Sequence, residues 1–306
     1  MPRVSAHARY ELMFKDKAGL RDAIGALRRR YGAHAALKVN LPNKDKSDDI
    51  LSWIDAVRAL EGGDDIDIVP HYSMKNNYHR DVNAVLTKLE TFARTCTTRG
   101  RGTKRCLLVT GSGDRKLDSV EALRRLGMDR AFKRDVVQDG GFKFECAFNP
   151  YFTEKSELDR EFERLEKKLN SGLVGGLWLQ IGSDCDALDA ALVRIKNMSV
   201  KNADAPLRLH GSVFMPSKQL LAQMKFRPWR GVFLSEEWLE SVENAERVTM
   251  KQLEIFARHG VHPLIESGLV TDAQFDQCER LLAAYHKHNK RARAEDEDDA
   301  NTTYTT

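Results

Sequence analysis

Short strand-like segments alternate with longer helix-like segments through almost the whole of this chain, and this alternation most constrains its fold. The central example is the stretch RCLLVTGSGDRK at residues 105–116, in which the apolar and β-branched run 107–110 is typical of a buried strand. Gly111 and Gly113 then allow a turn that projects Asp114 beyond the strand end. A helical pattern follows at 118–126, so the stretch is one βα unit.

The same unit can be counted eight times along the 306 residues. The predicted strands lie at 10–15, 35–40, 66–71, 107–110, 142–148, 176–181, 207–211 and 261–265, and each is followed by a helix or a helical run. Eight consecutive βα units predict a single α/β domain, a (β/α)8 TIM barrel, which needs roughly 250 residues. We expect this barrel to span residues 1–288, with a helical insert after strand seven over 216–260. That insert could be a lid over the barrel mouth or a packing element.

The end of the chain has a different composition from the barrel. Basic residues at 290, 291 and 293 precede the acidic run 295–299, and no core-forming apolar residue follows. A segment of this kind cannot bury enough surface to offset the entropy lost on ordering. We therefore predict that 289–306 is a disordered charged tail, and a partner-binding tail is the alternative.

Charge and cysteine usage narrow the class of protein. The chain has 49 basic and 45 acidic residues and a net charge of +4, which argues against nucleic-acid binding but is compatible with a positive mouth for an anionic ligand. No apolar run approaches the roughly 18 to 20 residues that span a bilayer. The five cysteines form no CxxC pair, which favours a reducing, cytoplasmic compartment and argues against zinc.

Several common catalytic motifs are missing from the sequence. There is no phosphate-binding GxxxxGKS loop, no GxSxG elbow and no HExxH metal motif. What remains are barrels that use an organic cofactor or plain acid and base chemistry. We predict no metal site.

Functional side chains of a (β/α)8 barrel come from the carboxyl ends of its strands. The residues at these positions are Glu11, Asn40, His71, Asp114, Phe148, Gln180 and Gly211. Glu11 could instead form an ion pair at the rim, His71 could be a structural histidine, and Asp114 could cap the next helix. Gln180 is the hardest to explain structurally, because an amide that ends an apolar strand needs partners, which a ligand could supply.

Several of these segments resemble the methylenetetrahydrofolate reductase family. The segment YELMF at 10–14 resembles the first strand of that family, VPH at 69–71 its third strand, and Gly113-Asp114 the end of its fourth strand. The most specific part is LEKKLNSG at 165–172 followed by LWLQ at 177–180, which keeps the family's spacing. The similarity covers residues 10–195.

The resemblance implies a flavin-dependent (β/α)8 enzyme that reduces 5,10-methylenetetrahydrofolate to 5-methyltetrahydrofolate with FAD and NAD(P)H. It assigns Glu11 as the general acid and Asp114 as an electrostatic partner of both flavin and pterin. It implies flavin contacts for His71, Phe148 and Lys168. Folate contacts are expected for Gln180 and Asn40.

Two other interpretations stay open at this point. A divergent member of the family could have lost flavin reduction and could bind folate or act as an interaction module, since fold alone does not fix function. The chain could also be a barrel enzyme for another substrate. Self-association into a homo-oligomer is left open as well.

Overall fold

Eight parallel strands close into a barrel in the order in which they occur along the chain. The computed structural model describes residues 8–98, 102–111, 117–202 and 206–302. The ring closes where β1 pairs with β8, with Arg9 opposite Leu264 and Tyr10 opposite Ile265. The predicted (β/α)8 barrel is confirmed. Its strands are β1 (Arg9–Glu11), β2 (Lys38–Leu41), β3 (Asp67–Ser73), β4 (Arg105–Val109), β5 (Lys143–Phe148), β6 (Val174–Leu179), β7 (Arg208–Val213) and β8 (His262–Ile265).

Helices surround the barrel and connect its strands. Several begin at a side chain that caps the first turn, as Asp16 accepts from the Gly19 amide and Ser217 from the Leu220 amide. Three helices between β7 and β8 form the predicted insert. The helices are α1 (Lys17–Tyr31), α2 (Ile50–Arg58), α3 (Val82–Thr98), α4 (Ser119–Met128), α5 (Arg130–Phe132), α6 (Lys155–Leu169), α7 (Cys185–Asn202), α8 (Lys218–Phe226), α9 (Glu236–Glu240), α10 (Val242–Arg258) and α11 (Asp272–Thr302).

Some element bounds differ from those predicted. Strand β1 stops at Glu11 rather than at residue 15, because Phe14 turns away to pack against Trp53 of α2 and Asp16 already caps α1. The charged stretch 127–141 contains α5 and a π-helix, Lys133–Asp139. The backbone of α11 continues to Thr302, and disorder of the tail 289–306 in solution stays a prediction.

Alternate side chains of each strand point into the barrel or out toward the helices. On the outer side, Tyr10 reaches α1, where its hydroxyl donates to that of Tyr31 at 2.9 Å. On the inner side, a middle layer of apolar side chains fills the barrel, made up of Val69, Leu107, Trp178 and Leu264. This layer separates a charged layer at the amino ends of the strands from the mouth at their carboxyl ends.

The charged layer ties neighbouring strands together. The Arg9 guanidinium donates to the Val39 carbonyl at 2.9 Å and to the Asp67 carboxylate, and Arg105 donates to Asp67 at 2.6 Å. Burial lowers the pKa of Arg9 to about 10. Burial alone would raise the pKa of Asp67, but Arg9 and Arg105 outweigh it and lower that pKa. Because each buried charge has a partner, this layer is structural.

None of the five cysteines forms a disulfide bond in the described chain. Among the described residues, no helix is long and apolar enough to cross a membrane. The cytoplasmic location expected from the cysteines stays a prediction.

Candidate functional site

Three of the residues predicted for the site lie together at the mouth of the barrel. Strand pairing places Glu11 directly opposite Asn40. The His71 Nε2 atom lies 3.0 Å from Asn40 Nδ2 and 3.8 Å from Glu11 Oε2. The side chains of Glu11 and His71 are each 13% exposed, so the group is largely shielded from water.

A fourth residue at the mouth, Glu266, was missed by the sequence analysis. It directly follows β8, and its amide donates to the Val213 carbonyl at 3.0 Å. Its carboxylate accepts a hydrogen bond from the Ser212 hydroxyl of β7. The signal was present, because a polar residue just past a strand is the same pattern that identified Glu11.

Glu11 and Glu266 influence each other's ionisation. Burial and the neighbouring Glu266 together raise the pKa of Glu11 to about 8, against the opposing positive charge of Lys44. Burial also raises the pKa of Glu266, against the Ser212 hydrogen bond and Lys44. Protons bound by such a pair belong to both groups together. At neutral pH the pair therefore retains a proton and offers one hydrogen-bond donor beside carboxylate acceptors.

His71 is neutral at physiological pH. Burial, together with the positive charges of Lys44 and Arg9, lowers its pKa to about 3. As placed, Asn40 donates to the ring, and its own Oδ1 atom is buried without a hydrogen-bond partner among the described residues. A buried acceptor of this kind is costly unless something else donates to it. Asn40 therefore offers an acceptor to a bound molecule.

A cavity of about 480 Å³ opens beside Glu266, which is within the usual size range for a small-molecule site. It lies between α8 with its following turn on one side and the loop from β8 to α11 on the other. The Phe214 and Trp229 rings meet edge to face, 5.4 Å apart, on one wall. Its lining residues include Phe214, Gln219, Gln223, Trp229 and Glu266.

The other predicted folate residue, Gln180, follows β6 at the mouth. It lies two residues after Trp178, so strand alternation places it on the inner side. Its Oε1 atom accepts from the Ile181 amide at 3.0 Å. Asp114 lies outside the described residues.

Two of the residues predicted to contact flavin do not reach the mouth. The Phe148 ring is buried on the outer side of β5 and packs against Phe162 of α6, with ring centroids 4.8 Å apart. Lys168 of α6 is also buried, and its ammonium donates to the Ala147 carbonyl at 3.1 Å. Strand alternation explains the position of Phe148, because this residue lies on the same outward face of β5 as Phe144. Of the described residues expected to contact flavin, His71 alone faces the mouth.

The described part of the chain contains no group of three His, Cys, Asp or Glu side chains arranged to hold a metal ion. The mouth holds two coupled carboxyl groups, with the imidazole of His71 and the amide of Asn40 next to Glu11 and the Gln180 amide at the end of β6. Such a cluster can donate and accept hydrogen bonds and can transfer a proton.

Neither a protein-family model nor a curated protein matches this sequence. Among solved structures, the chain is similar to an uncharacterised protein from Clostridium thermocellum that binds two copies of 5-methyl-5,6,7,8-tetrahydrofolic acid. The two share 13% identity with a TM-score of 0.59, over 90% of this chain and 92% of that one. A broad-specificity endoglucanase from an uncultured bacterium shares 10% identity with a TM-score of 0.50, over 92% and 95% of the two chains. Similarity at this level of identity shows the fold alone.

Proposed function

We propose that this protein binds a reduced folate at the mouth of its barrel and uses Glu11 to donate a proton to it. The observation that carries the proposal is the buried pair of Glu11 and Glu266. The edge of a pterin ring presents N–H donors next to nitrogen and oxygen acceptors. A carboxyl pair that holds one proton matches both kinds of group at neutral pH.

The neighbouring side chains suit the same ligand. The Oδ1 atom of Asn40 lacks a donor in the described structure, and an N–H group of the ligand would supply one. The neutral ring of His71 adds a further polar contact that carries no charge. The Clostridium thermocellum protein with the same fold binds a methylated tetrahydrofolate, which supports this class of ligand.

Glu11 is suited to act as a general acid. A carboxyl group with a pKa of about 8 keeps its proton at neutral pH and can release it to a basic ring nitrogen. The coupled Glu266 then remains beside it as a carboxylate that stabilises positive charge on the ligand. Proton donation to a departing nitrogen is the step that opening the methylene bridge of 5,10-methylenetetrahydrofolate requires.

Flavin-dependent reduction of methylenetetrahydrofolate with NAD(P)H is a second candidate. It is favoured by the retained proton of Glu11, because reduction requires an acid at this position. The positions of Phe148 and Lys168 do not fit the flavin contacts that the family resemblance implies. The test is spectroscopic: FAD titrated into the protein should bind and should bleach when NADPH is added without oxygen, and absence of binding would remove this candidate.

Folate binding is tested by titrating 5-methyltetrahydrofolate into the wild type and into the variants E11Q and E266Q. Loss of one charge-assisted hydrogen bond should weaken binding about 10- to 100-fold. The matched control is E163Q, which changes an exposed glutamate on α6. A wild type that shows no saturable binding would contradict the proposal, and so would variants that bind as well as the wild type.

A further inference from the structure

The helical insert carries an unusually basic segment next to the mouth. Residues 218–231 contain four basic residues and no acidic one. The net charge of this segment alone therefore equals the net charge of +4 of the whole chain. These residues, Lys218, Lys225, Arg227 and Arg230, are all exposed. None of them forms an ion pair with another residue in the described ranges. The segment therefore presents positive charge that the described part of the chain does not neutralise.

This segment borders the cavity beside Glu266. Gln219 and Gln223 of α8, together with Trp229 of the following turn, line that cavity. The Arg227 amide donates to the Gln223 carbonyl at 2.8 Å, and the Gln223 side-chain amide donates back to the Arg227 carbonyl at 3.2 Å. The backbone at Arg227 is thus fixed to a residue that lines the cavity.

The cavity wall next to the basic segment is aromatic. Trp229 is 46% exposed although its edge-to-face partner Phe214 is buried, so part of the indole is free to pack on a ligand. An exposed aromatic face of this kind favours a flat ring. The side chain of Gln219, on the same wall, makes no hydrogen bond with another residue of the described chain.

Three chemically different groups therefore lie in or beside one cavity. Glu266 of the carboxyl pair and the Phe214 and Trp229 rings line it, and the exposed basic residues belong to α8 and the turn that border it. A folate combines matching groups, with a pterin, an aminobenzoyl ring and one or more glutamates. Charge complementarity at the basic residues calls for carboxylates on the ligand.

We infer that the cavity takes the aminobenzoyl ring of the ligand against Trp229 and that Lys225, Arg227 and Arg230 bind the carboxylates of its γ-glutamyl tail. This inference rests on the proposed binding of folate. It predicts that folates with longer tails bind more tightly. The preference should weaken as salt is added, because exposed charges are screened.

The first experiment compares dissociation constants of the mono- and triglutamyl forms of 5-methyltetrahydrofolate at low and high salt. Two exposed ion pairs are together worth about a 5- to 10-fold preference, so the wild type should favour the triglutamyl form by about that factor. In R227Q/R230Q the preference should fall below about 2-fold, because the affinity for the triglutamyl form should drop by more than the affinity for the monoglutamyl form. The matched control is R160Q/K196Q, which removes two exposed cations from α6 and α7.

A second experiment separates the tail site, formed by Trp229 and the basic residues, from the folate site at Glu11 and Glu266. Triglutamyl p-aminobenzoate, which has no pterin, should quench the fluorescence of Trp229, and the quenching should disappear in W229F and weaken in R227Q/R230Q. If this probe binds while no folate does, the tail site stands and the proposed function fails. If both folate forms bind equally well and R227Q/R230Q changes nothing, the tail site is overturned while folate binding stands.

The side chain of Phe226, next to the same cations, is exposed, and an apolar residue among cations could also favour an anionic membrane surface. Sedimentation with phosphatidylserine vesicles tests whether this segment docks on an anionic membrane surface instead. Vesicle binding that is lost in R227Q/R230Q, together with no effect of tail length, would overturn the tail inference. If R227Q/R230Q leaves vesicle binding unaffected and the wild type still prefers the triglutamyl form, the inference that these cations bind the glutamyl tail is supported.

Discussion

The side-chain amide of Asn40 lies 3.0 Å from the Nε2 atom of His71, so the end of β2 orients the imidazole at the end of β3. The ring is also buried and lies near the positive charges of Lys44 and Arg9. These surroundings keep His71 neutral and lower its pKa to about 3 from an ordinary value of 6.5.

The low pKa of His71 predicts a loss of stability in acid. Below pH 6.5 the unfolded chain binds a proton at this residue, whereas the folded protein binds that proton only near pH 3. The stability that depends on neutral His71 is therefore fully present above pH 6.5 and is lost as the pH falls. Between pH 7 and pH 5 the free energy of unfolding should drop by about 2 kcal/mol from this group. H71Q should lack that drop in urea unfolding at the two pH values. An equal drop in wild type and H71Q would contradict the assignment.

Glu11 predicts a pH dependence of the opposite sign. Its pKa is raised to about 8 in the folded protein from 4.5, so its stabilising contribution is complete below pH 4.5 and is lost as the pH rises through 8. The free energy of unfolding should fall by roughly 2–4 kcal/mol between pH 5 and 8.5 from this ionisation. In E11Q this fall should be much smaller, whereas E163Q should behave as the wild type. If E11Q and wild type lose stability in parallel, the carboxyl pair does not hold the proton.

Close packing behind β7 gives a prediction about the fold. A Cβ atom added to Gly211 would lie 2.1 Å from the Phe256 ring of α10, so G211A should destabilise the barrel by about 1–3 kcal/mol or more. The matched change is G25A in the middle of α1, where the nearest atom is 3.4 Å away on the flexible Arg29 side chain. Alanine there should stabilise the helix by roughly 0.5–1 kcal/mol. Denaturant midpoints compare the two variants, and a neutral G211A would show that β7 and α10 can separate at low cost.

The barrel was predictable from the sequence because each βα unit carries its own signals. Strand-like runs and helix-spaced apolar residues alternate eight times, and the closed ring follows from that count. Strand ends such as Glu11, Asn40 and His71 could be found for the same reason, because polar side chains directly after buried strands stand out in the sequence.

The roles of Phe148 and Lys168 could not be derived in this way. Whether a strand residue faces the barrel or the helices depends on its register, and in β5 the inward position is fixed by Glu145, which accepts from the Trp178 indole at 2.6 Å. That contact joins residues 33 positions apart, and no local pattern reveals it. Glu266 was missed for a simpler reason, because the eighth strand was followed only as far as Ile265.

The dissociation constant of 5-methyltetrahydrofolate, measured from pH 6 to pH 9.5, tests the central claim most directly. If Glu11 and Glu266 bind the ligand with one shared proton, wild-type affinity should be constant below pH 7. Above pH 8 the affinity should fall, at a rate that approaches about tenfold per pH unit, because the only proton donor of the pair is lost. E11Q should bind more weakly and show no such transition, and E163Q should match the wild type. The account is contradicted if the wild type does not bind the ligand or if E11Q retains the same pH dependence.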